Sequence, residues 1–146
     1  MIAVDTNLLV YALREDSPFH AASLRVLTEL AGSGRRWAIP WPCVHEFIAI
    51  ATHPRIYRPP TPLSVAWDAL NAWFRSPLLE LLNEGPGYWD TLQRIATSAK
   101  VTGPQIHDAR IAALCLHHGV RELWSADRDF SRYPQLVAKN PLAEGD

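Results

Sequence analysis

The sequence predicts an α/β fold, a layered sandwich around a central, mostly parallel sheet. Three observations carry that prediction. Short apolar runs recur along the chain: IAV (2–4), WAIP (37–40), LLELL (78–82), ELWS (122–125) and QLVA (135–138). Long stretches with helical spacing of apolar residues separate them, and strands joined through helices pair in parallel. Acids follow two of the runs, Asp5 directly after IAV and Asp127 just after ELWS. In parallel sheets, ligands collect at the carboxyl ends of strands, close to the point where strand order reverses.

Taken in order, IAV reads as a buried strand and NLLVYAL (7–13) as the helix after it. Ser17-Pro18 has the form of a helix start, Ser as N-cap and Pro at the first helical position. Phe19, Ala22, Val26, Leu27 and Leu30 then share one face, and Gly32 ends the helix. After WAIP, Pro42 opens a helix with Val44, Phe47, Ile48 and Ala51 on one side. HPRIYRPPTP (53–62) is a proline-rich basic loop. LSVAWDALNAWF (63–74) is amphipathic; LLELL is the third strand, and a helix is expected from about Gly87 to Lys100. ThrGlyProGln (102–105) introduces the helix IHDARIAALCLHHG, which ends at Gly119. ELWS is a strand, DRDFSRY (127–133) a tight helical turn, and QLVA a last short strand.

The 146 residues are expected to form a single domain, 1–146, large enough to bury a core without a disulfide or structural metal. Apolar residues make up 48% of the chain and charged ones 20%, the balance of a globular protein. The formal net charge of -1 provides no bulk basic field, so an anionic partner must be held by a local basic patch or a metal. Cys43 and Cys115 each lie in an apolar segment and read as buried thiols of a reducing compartment. The N-terminus lacks the pattern of a signal peptide, and no apolar run is long enough to span a bilayer. The expected location is the cytoplasm, with no membrane partner.

Four acids stand in unusual company. Asp5 fits a helix N-cap and also a metal ligand; the roles are compatible because a carboxylate has two oxygens. Glu46 shares a helix stripe with Cys43 and Ile50, so its charge needs a partner, either a metal site or an arginine of the Arg55–Arg58 loop. Asp108 lies near the start of a helix whose stripe, Ala112 and Cys115, is small and apolar. There it suits the helix dipole, and the small neighbours permit close approach of another element. In SADRDF (125–130), Asp127 and Asp129 offer one or two ligands without ranking them. If the sheet brings these acids together, like charges raise one another's pKa or demand a counter-cation. With oxygen donors and no Cys/His set at zinc spacing, the cation is Mg²⁺ or Mn²⁺. His107 reads as a packing or surface residue.

MIAVDTNLLVYA, a Glu in the third helix, HDARIAALCLHHGV and LWSADRDFSRYPQL, in that order, resemble the PIN-domain ribonucleases, and more narrowly the VapC toxins of bacterial toxin–antitoxin pairs. WPCVHEFIAIATHPRIY and NPL (140–142) resemble one VapC-type subgroup. The resemblance spans essentially the whole chain and is weakest over residues 54–100. It implies a PIN-like three-layer α/β/α sandwich whose acidic pocket binds Mg²⁺ or Mn²⁺ and hydrolyses RNA. Asp5, Glu46, Asp108 and Asp127 match the family's four acids, with Asp5 and Asp108 its most direct metal ligands. Thr6, Asn7 and Ser125 match the small polar residues that orient the acids, and Asp129 matches a second acid of the last motif. The resemblance also implies a VapB-like antitoxin, whose arginine would pair with these carboxylates, and a homodimer.

Metal-assisted hydrolysis agrees with the residues as well. There is no Ser-His-Asp or Cys-His nucleophile set and no Gly-rich phosphate loop. For RNA, Arg35, Arg36, Arg55, Arg58, Arg110, Arg128 and Arg132 are the available cations, and Trp41, Tyr57 and Trp89 the bases' stacking partners. Two alternatives stand beside the ribonuclease. An Asp-based phosphoryl-transfer protein needs a partner Lys, and only Lys100 and Lys139 are present, neither well placed. A non-catalytic PIN-like RNA-binding module would normally have lost some of the acids.

Overall fold

A computed structural model describes residues 1–143. The tail acids Glu144 and Asp146 lie outside the described residues. The chain runs β1 (Ile2–Val4), α1 (Thr6–Leu13), α2 (His20–Ala31), β2 (Trp37–Pro40), α3 (Trp41–Ala51), α4 (Leu63–Phe74), β3 (Leu79–Leu82), α5 (Tyr88–Ser98), α6 (Ile106–His117), β4 (Glu122–Trp124) and β5 (Val137–Lys139). Two 3-10 turns, Gly103–Gln105 and Arg128–Arg132, precede α6 and follow β4.

The five strands form one sheet in the order β3-β2-β1-β4-β5. Every pairing is parallel, with Ala3 opposite both Ala38 and Leu123. The chain steps outward from β1 through β2 to β3, then crosses back to lay β4 on the other side of β1. The order therefore reverses between β1 and β4, the switch point at which parallel sheets hold ligands. Right-handed crossovers put helices made before and after such a reversal on opposite faces. Accordingly α1 packs on α2 and α3, and α3 on α4, while α5 pairs with α6. This is the expected α/β/α layering.

The central strands are buried on both sides, which is why they read as continuous apolar runs. Ala3, Val4, Trp37, Ala38, Ile39 and Leu123 have no measurable exposure. α6 reaches the sheet through Ala109, Ala112, Ala113 and Cys115, all fully buried, so its backbone comes close. Its end is set by Gly119 at φ 74°, where the Val120 N–H bonds back to the Cys115 carbonyl at 2.8 Å. The capping box at its start is made by Thr102, whose N–H donates to Gln105 Oε1 at 2.9 Å.

Several element ends differ by a residue from the sequence reading, and three boundaries differ for a reason the structure shows. Ser17 does not cap α2: its Oγ accepts from the Phe19 N–H and its carbonyl from the His20 N–H, closing a separate turn, and the helix begins at His20. Phe19 consequently leaves the buried face and rests on the Tyr11 ring, centroids 5.1 Å apart, 46% exposed. The fifth helix spans Tyr88–Ser98, shorter than 87–100, because left-handed backbone flanks it at Gly87 and Lys100. The last strand is Val137–Lys139, not QLVA, because Glu122 pairs with Val137; Leu136 enters the core instead.

Central and edge strands should therefore respond differently to truncation. Ile39→Ala, in β2, is expected to cost about 2–5 kcal/mol. Val137→Ala, at the exposed edge, should stay within about 0.5 kcal/mol. Urea denaturation midpoints at constant slope check both.

Candidate metal centre

Asp5 follows β1 and extends its ladder, its N–H donating to the Trp124 carbonyl at 3.0 Å. It is the N-cap of α1, with backbone in the extended region. The residue is 5% exposed, and its carboxylate takes four donors. Oδ1 accepts from the Thr6 N–H at 2.8 Å and from the Cys43 thiol at 3.5 Å. Oδ2 accepts from Ser125 Oγ at 2.7 Å and from Asn7 Nδ2 at 3.5 Å. Capping and site formation are thus the same geometry, one carboxylate fastening β1, α1, α3 and the end of β4.

Ser125 and Asn7 tie the two strand ends together. Ser125 Oγ also accepts from the Asp127 N–H at 2.9 Å. Asn7 Oδ1 accepts from the Ala126 N–H at 3.2 Å, and its Nδ2 donates to Ser125 Oγ at 3.4 Å. Asp127 in turn caps the 3-10 turn, Oδ1 accepting from the Asp129 N–H at 2.9 Å. That turn carries Asp129 back beside Asp127. On α3, Glu46 is held by Thr6, whose hydroxyl donates to Oε2 at 2.8 Å. Among the described residues no arginine pairs with Glu46; the ion pairs are Arg14–Asp16 and Arg36–Glu80.

Asp108 comes in from the first turn of α6 on the opposite layer. Asp108, Asp127 and Asp129 each present an oxygen within 4.8 Å of the others. Asp5 and Glu46 flank this trio and act on Asp108 through their charge. All five acids therefore share one site, and Asp129, which the sequence did not rank against Asp127, is one of the trio.

The electrostatics follow from that crowding. Burial, then the charges of Asp127, Asp5, Asp129 and Glu46, push Asp108 up from 3.8 to about 6. Asp5 is also raised: desolvation outweighs the bonds from Ser125, Thr6 and Cys43 that favour its charged form. Burial and the Asp5 charge lift the Cys43 thiol well above its ordinary range, and Cys115 is pushed up to about 12. Both are free thiols, so Cys43 acts here as a proton donor.

Cys43 and Tyr133 are the two neighbours that sequence reasoning did not assign to the site. The Tyr133 hydroxyl is buried without a hydrogen-bond partner, and burial followed by the Asp108 charge raises its pKa. The stripe shared by Cys43 and Glu46 was a usable signal; Tyr133 had none. The proposed RNA contacts scatter. Arg35 and Arg36 precede β2, at the rim opposite the acids. Arg14 lies over Tyr57, 4.2 Å from the ring centroid, and Trp89 is exposed. Asp127 and Arg128 border a cavity of about 590 Å³ between the 3-10 turn and β5.

A family model described as PIN domain matches residues 2–136. The chain belongs to the PIN domain family. Within it, this PIN domain is 31% identical to Ribonuclease VapC48 of Mycobacterium tuberculosis over 140 residues, 95% of this chain and 96% of the relative. It is 34% identical to Ribonuclease VapC43 of the same organism over 142 residues, 97% and 96% of the two chains. Among solved structures, VapBC2 from Rickettsia felis bound to a promoter DNA fragment superposes with TM-score 0.69 at 18% identity, covering 96% of this chain and 98% of that one. VapC20 of M. tuberculosis, described as a sarcin-ricin loop cleaving toxin, gives 0.64 at 16%, covering 90% and 93%. At those identities the two structures establish the fold. No helix among the described residues is long and apolar enough to cross a membrane.

The PIN-domain acids fit a hard divalent cation. The trio offers oxygen alone, no lysine or arginine pairs with it among the described residues, and burial followed by the neighbouring negative charges raises Asp108 with no cation to offset them. The raised pKa has a sign in stability. With a folded pKa near 6 and an ordinary value of 3.8, Asp108 holds a proton in the folded chain that the unfolded chain has released. Its contribution is present below about 4 and lost as pH rises through about 6. Without divalent cations, Asp108→Asn should therefore be more stable than the parent at pH 7.5, the gap closing toward pH 4. Denaturant midpoints across that range check it; a parent at least as stable at pH 7.5 contradicts it.

Proposed function

We propose that this PIN-domain chain, as a single domain over 1–146, is a Mg²⁺- or Mn²⁺-dependent endoribonuclease that cuts structured RNA, and the toxin of a pair with a VapB-like antitoxin. The observation that carries the proposal is the trio Asp108, Asp127 and Asp129 beside buried Asp5, at the reversal point of a parallel sheet. The VapC relatives bear the name ribonuclease, which supports the choice of RNA as substrate.

A divalent ion held at this site would polarise the scissile phosphate and make water a better nucleophile. The chain's own residues do the rest. Asp5, Asp108, Asp127 and Glu46 are the catalytic and metal-holding acids, with Asp129 as a fifth donor. Ser125 and Asn7 fix Asp5, so its oxygens do not swing when the site loads. Thr6 occupies Oε2 of Glu46 and leaves Oε1 free to take a proton from the attacking water. An antitoxin arginine would pair with carboxylates that lack a cation, which gives the inhibitor its chemistry. A homodimer, on the VapC resemblance, and a cytoplasmic location, on the sequence features given above, complete the proposal.

Asp5→Asn and Asp108→Asn should each lower cleavage of a structured RNA by more than about 100-fold, and Ser125→Ala by about 10–100-fold. EDTA should stop the reaction and Mg²⁺ restore it. Cleavage unchanged in both Asn variants would overturn the site. RNA binding without cleavage by the parent would instead leave a non-catalytic PIN-like module.

A further inference from the structure

A second concavity opens on the same rim of the sheet. All five strands are parallel, so the residues after them share one edge: Asp5 after β1, Trp41 after β2, Asn83 after β3 and Ser125 after β4. Neighbouring strands lie about 4.8 Å apart, so the β2/β3 end is about 10 Å from the acidic site between β1 and β4. That is the reach of an adjoining nucleotide.

The β2/β3 end holds a cavity of about 260 Å³, lined by Trp41, His45, Asn83, Glu84 and Arg110 among others. Sites for drug-sized ligands run from about 300 to 1,000 Å³, so this one suits a single flat ring system. One wall is aromatic and rigid. Trp41 stacks with His45, centroids 6.0 Å apart and planes at 28°, and Phe74 braces it edge-on at 6.2 Å. Arg110 lines the same cavity. Its Nε is buried with no hydrogen-bond partner, and no carboxylate among the described residues pairs with it.

Arg110 does not serve the acidic site. Two residues on a helix are about 200° apart, so Arg110 projects away from Asp108. Arg110 lines the cavity, and its guanidinium offers a planar fork of N–H donors to a ligand there. Glu84, at the mouth, adds the opposite chemistry: it is exposed and accepts. An aromatic wall, a forked donor and a carboxylate acceptor together match two adjoining edges of one nucleobase. Guanine presents O6 and N7 to an arginine fork and N–H donors to a carboxylate, whereas adenine places an amino group where the arginine needs an acceptor.

We propose that this cavity binds an unpaired guanine of the substrate RNA beside the cleaved bond, stacked against Trp41 and read by Arg110 and Glu84. The inference rests on the ribonuclease reading for its ligand. It is tested by binding, with cleavage switched off. The probes are fluorescent dodecanucleotides of uridine with one central guanosine or one central adenosine, titrated in EDTA and followed by anisotropy.

The parent protein should bind the guanosine oligonucleotide about 10-fold tighter. Arg110→Lys, which keeps the charge but not the fork, should bind both alike. Trp41→Ala should weaken both by about 5–100-fold, and Trp41→Phe by less. Glu84→Ala, at an exposed position, should narrow the preference and keeps the test open if Arg110→Lys fails to fold. Equal binding of both probes by the parent, or a preference that survives Arg110→Lys and Glu84→Ala, overturns the proposal. Guanosine preference without Mg²⁺-dependent cleavage would sink the ribonuclease reading and leave the base site standing. Cleavage lost in Asp108→Asn with no base preference would do the reverse.

Discussion

The carboxylate of Asp5 is buried with no cation beside it, and much of this structure is arranged to make that tolerable. Burying an ionised group costs several kcal/mol unless hydrogen bonds replace its water. Here the Thr6 N–H, the Ser125 hydroxyl, the Asn7 amide and the Cys43 thiol do so. These donors come from α1, the end of β4 and α3, so satisfying one side chain fixes the relative positions of three elements. The compensation is incomplete, since desolvation still raises the Asp5 pKa. That residue of unfavourable charge is what a bound cation would relieve.

The other acids divide the work differently. Asp5 has both oxygens engaged, and Glu46 has one held by Thr6. Asp108, by contrast, arrives on a helix whose small residues let it approach the sheet, and its carboxylate faces Asp127 and Asp129 with little else to neutralise it. The parallel topology makes this possible, because it delivers the ends of β1 and β4 to one edge from distant parts of the chain. The same edge carries Trp41 and Glu84, so the acids and the aromatic cavity are two stretches of one surface. Both are consequences of strand order, not of sequence proximity.

The layered fold was legible because fully buried parallel strands must be apolar runs, and IAV, WAIP and ELW are that. The Gly119 stop was legible from helix chemistry, and so was the position of Asp5, a charge where an apolar run ends. Ser17-Pro18 misled because a serine oxygen can close a turn as readily as cap a helix, and local sequence does not choose. The last strand slid because its register comes from pairing with Glu122–Trp124, a tertiary constraint. Within the site, the acids could be named but not ranked. Asp129 joins Asp108 and Asp127 through the path of a 3-10 turn, and Glu46 takes a threonine rather than an arginine, through a contact forty positions away in the chain. Tyr133 carried no signal because only its three-dimensional neighbours set it apart from any buried tyrosine.

The central claim is that five acids converge to hold a divalent cation, and locating that cation tests it most directly. Crystals of the protein equilibrated with Mn²⁺ at pH 7.5 should give an anomalous diffraction peak among Asp108, Asp127 and Asp129, adjoining Asp5. No peak at saturating Mn²⁺, or one bound elsewhere with these carboxylates unliganded, would contradict the account.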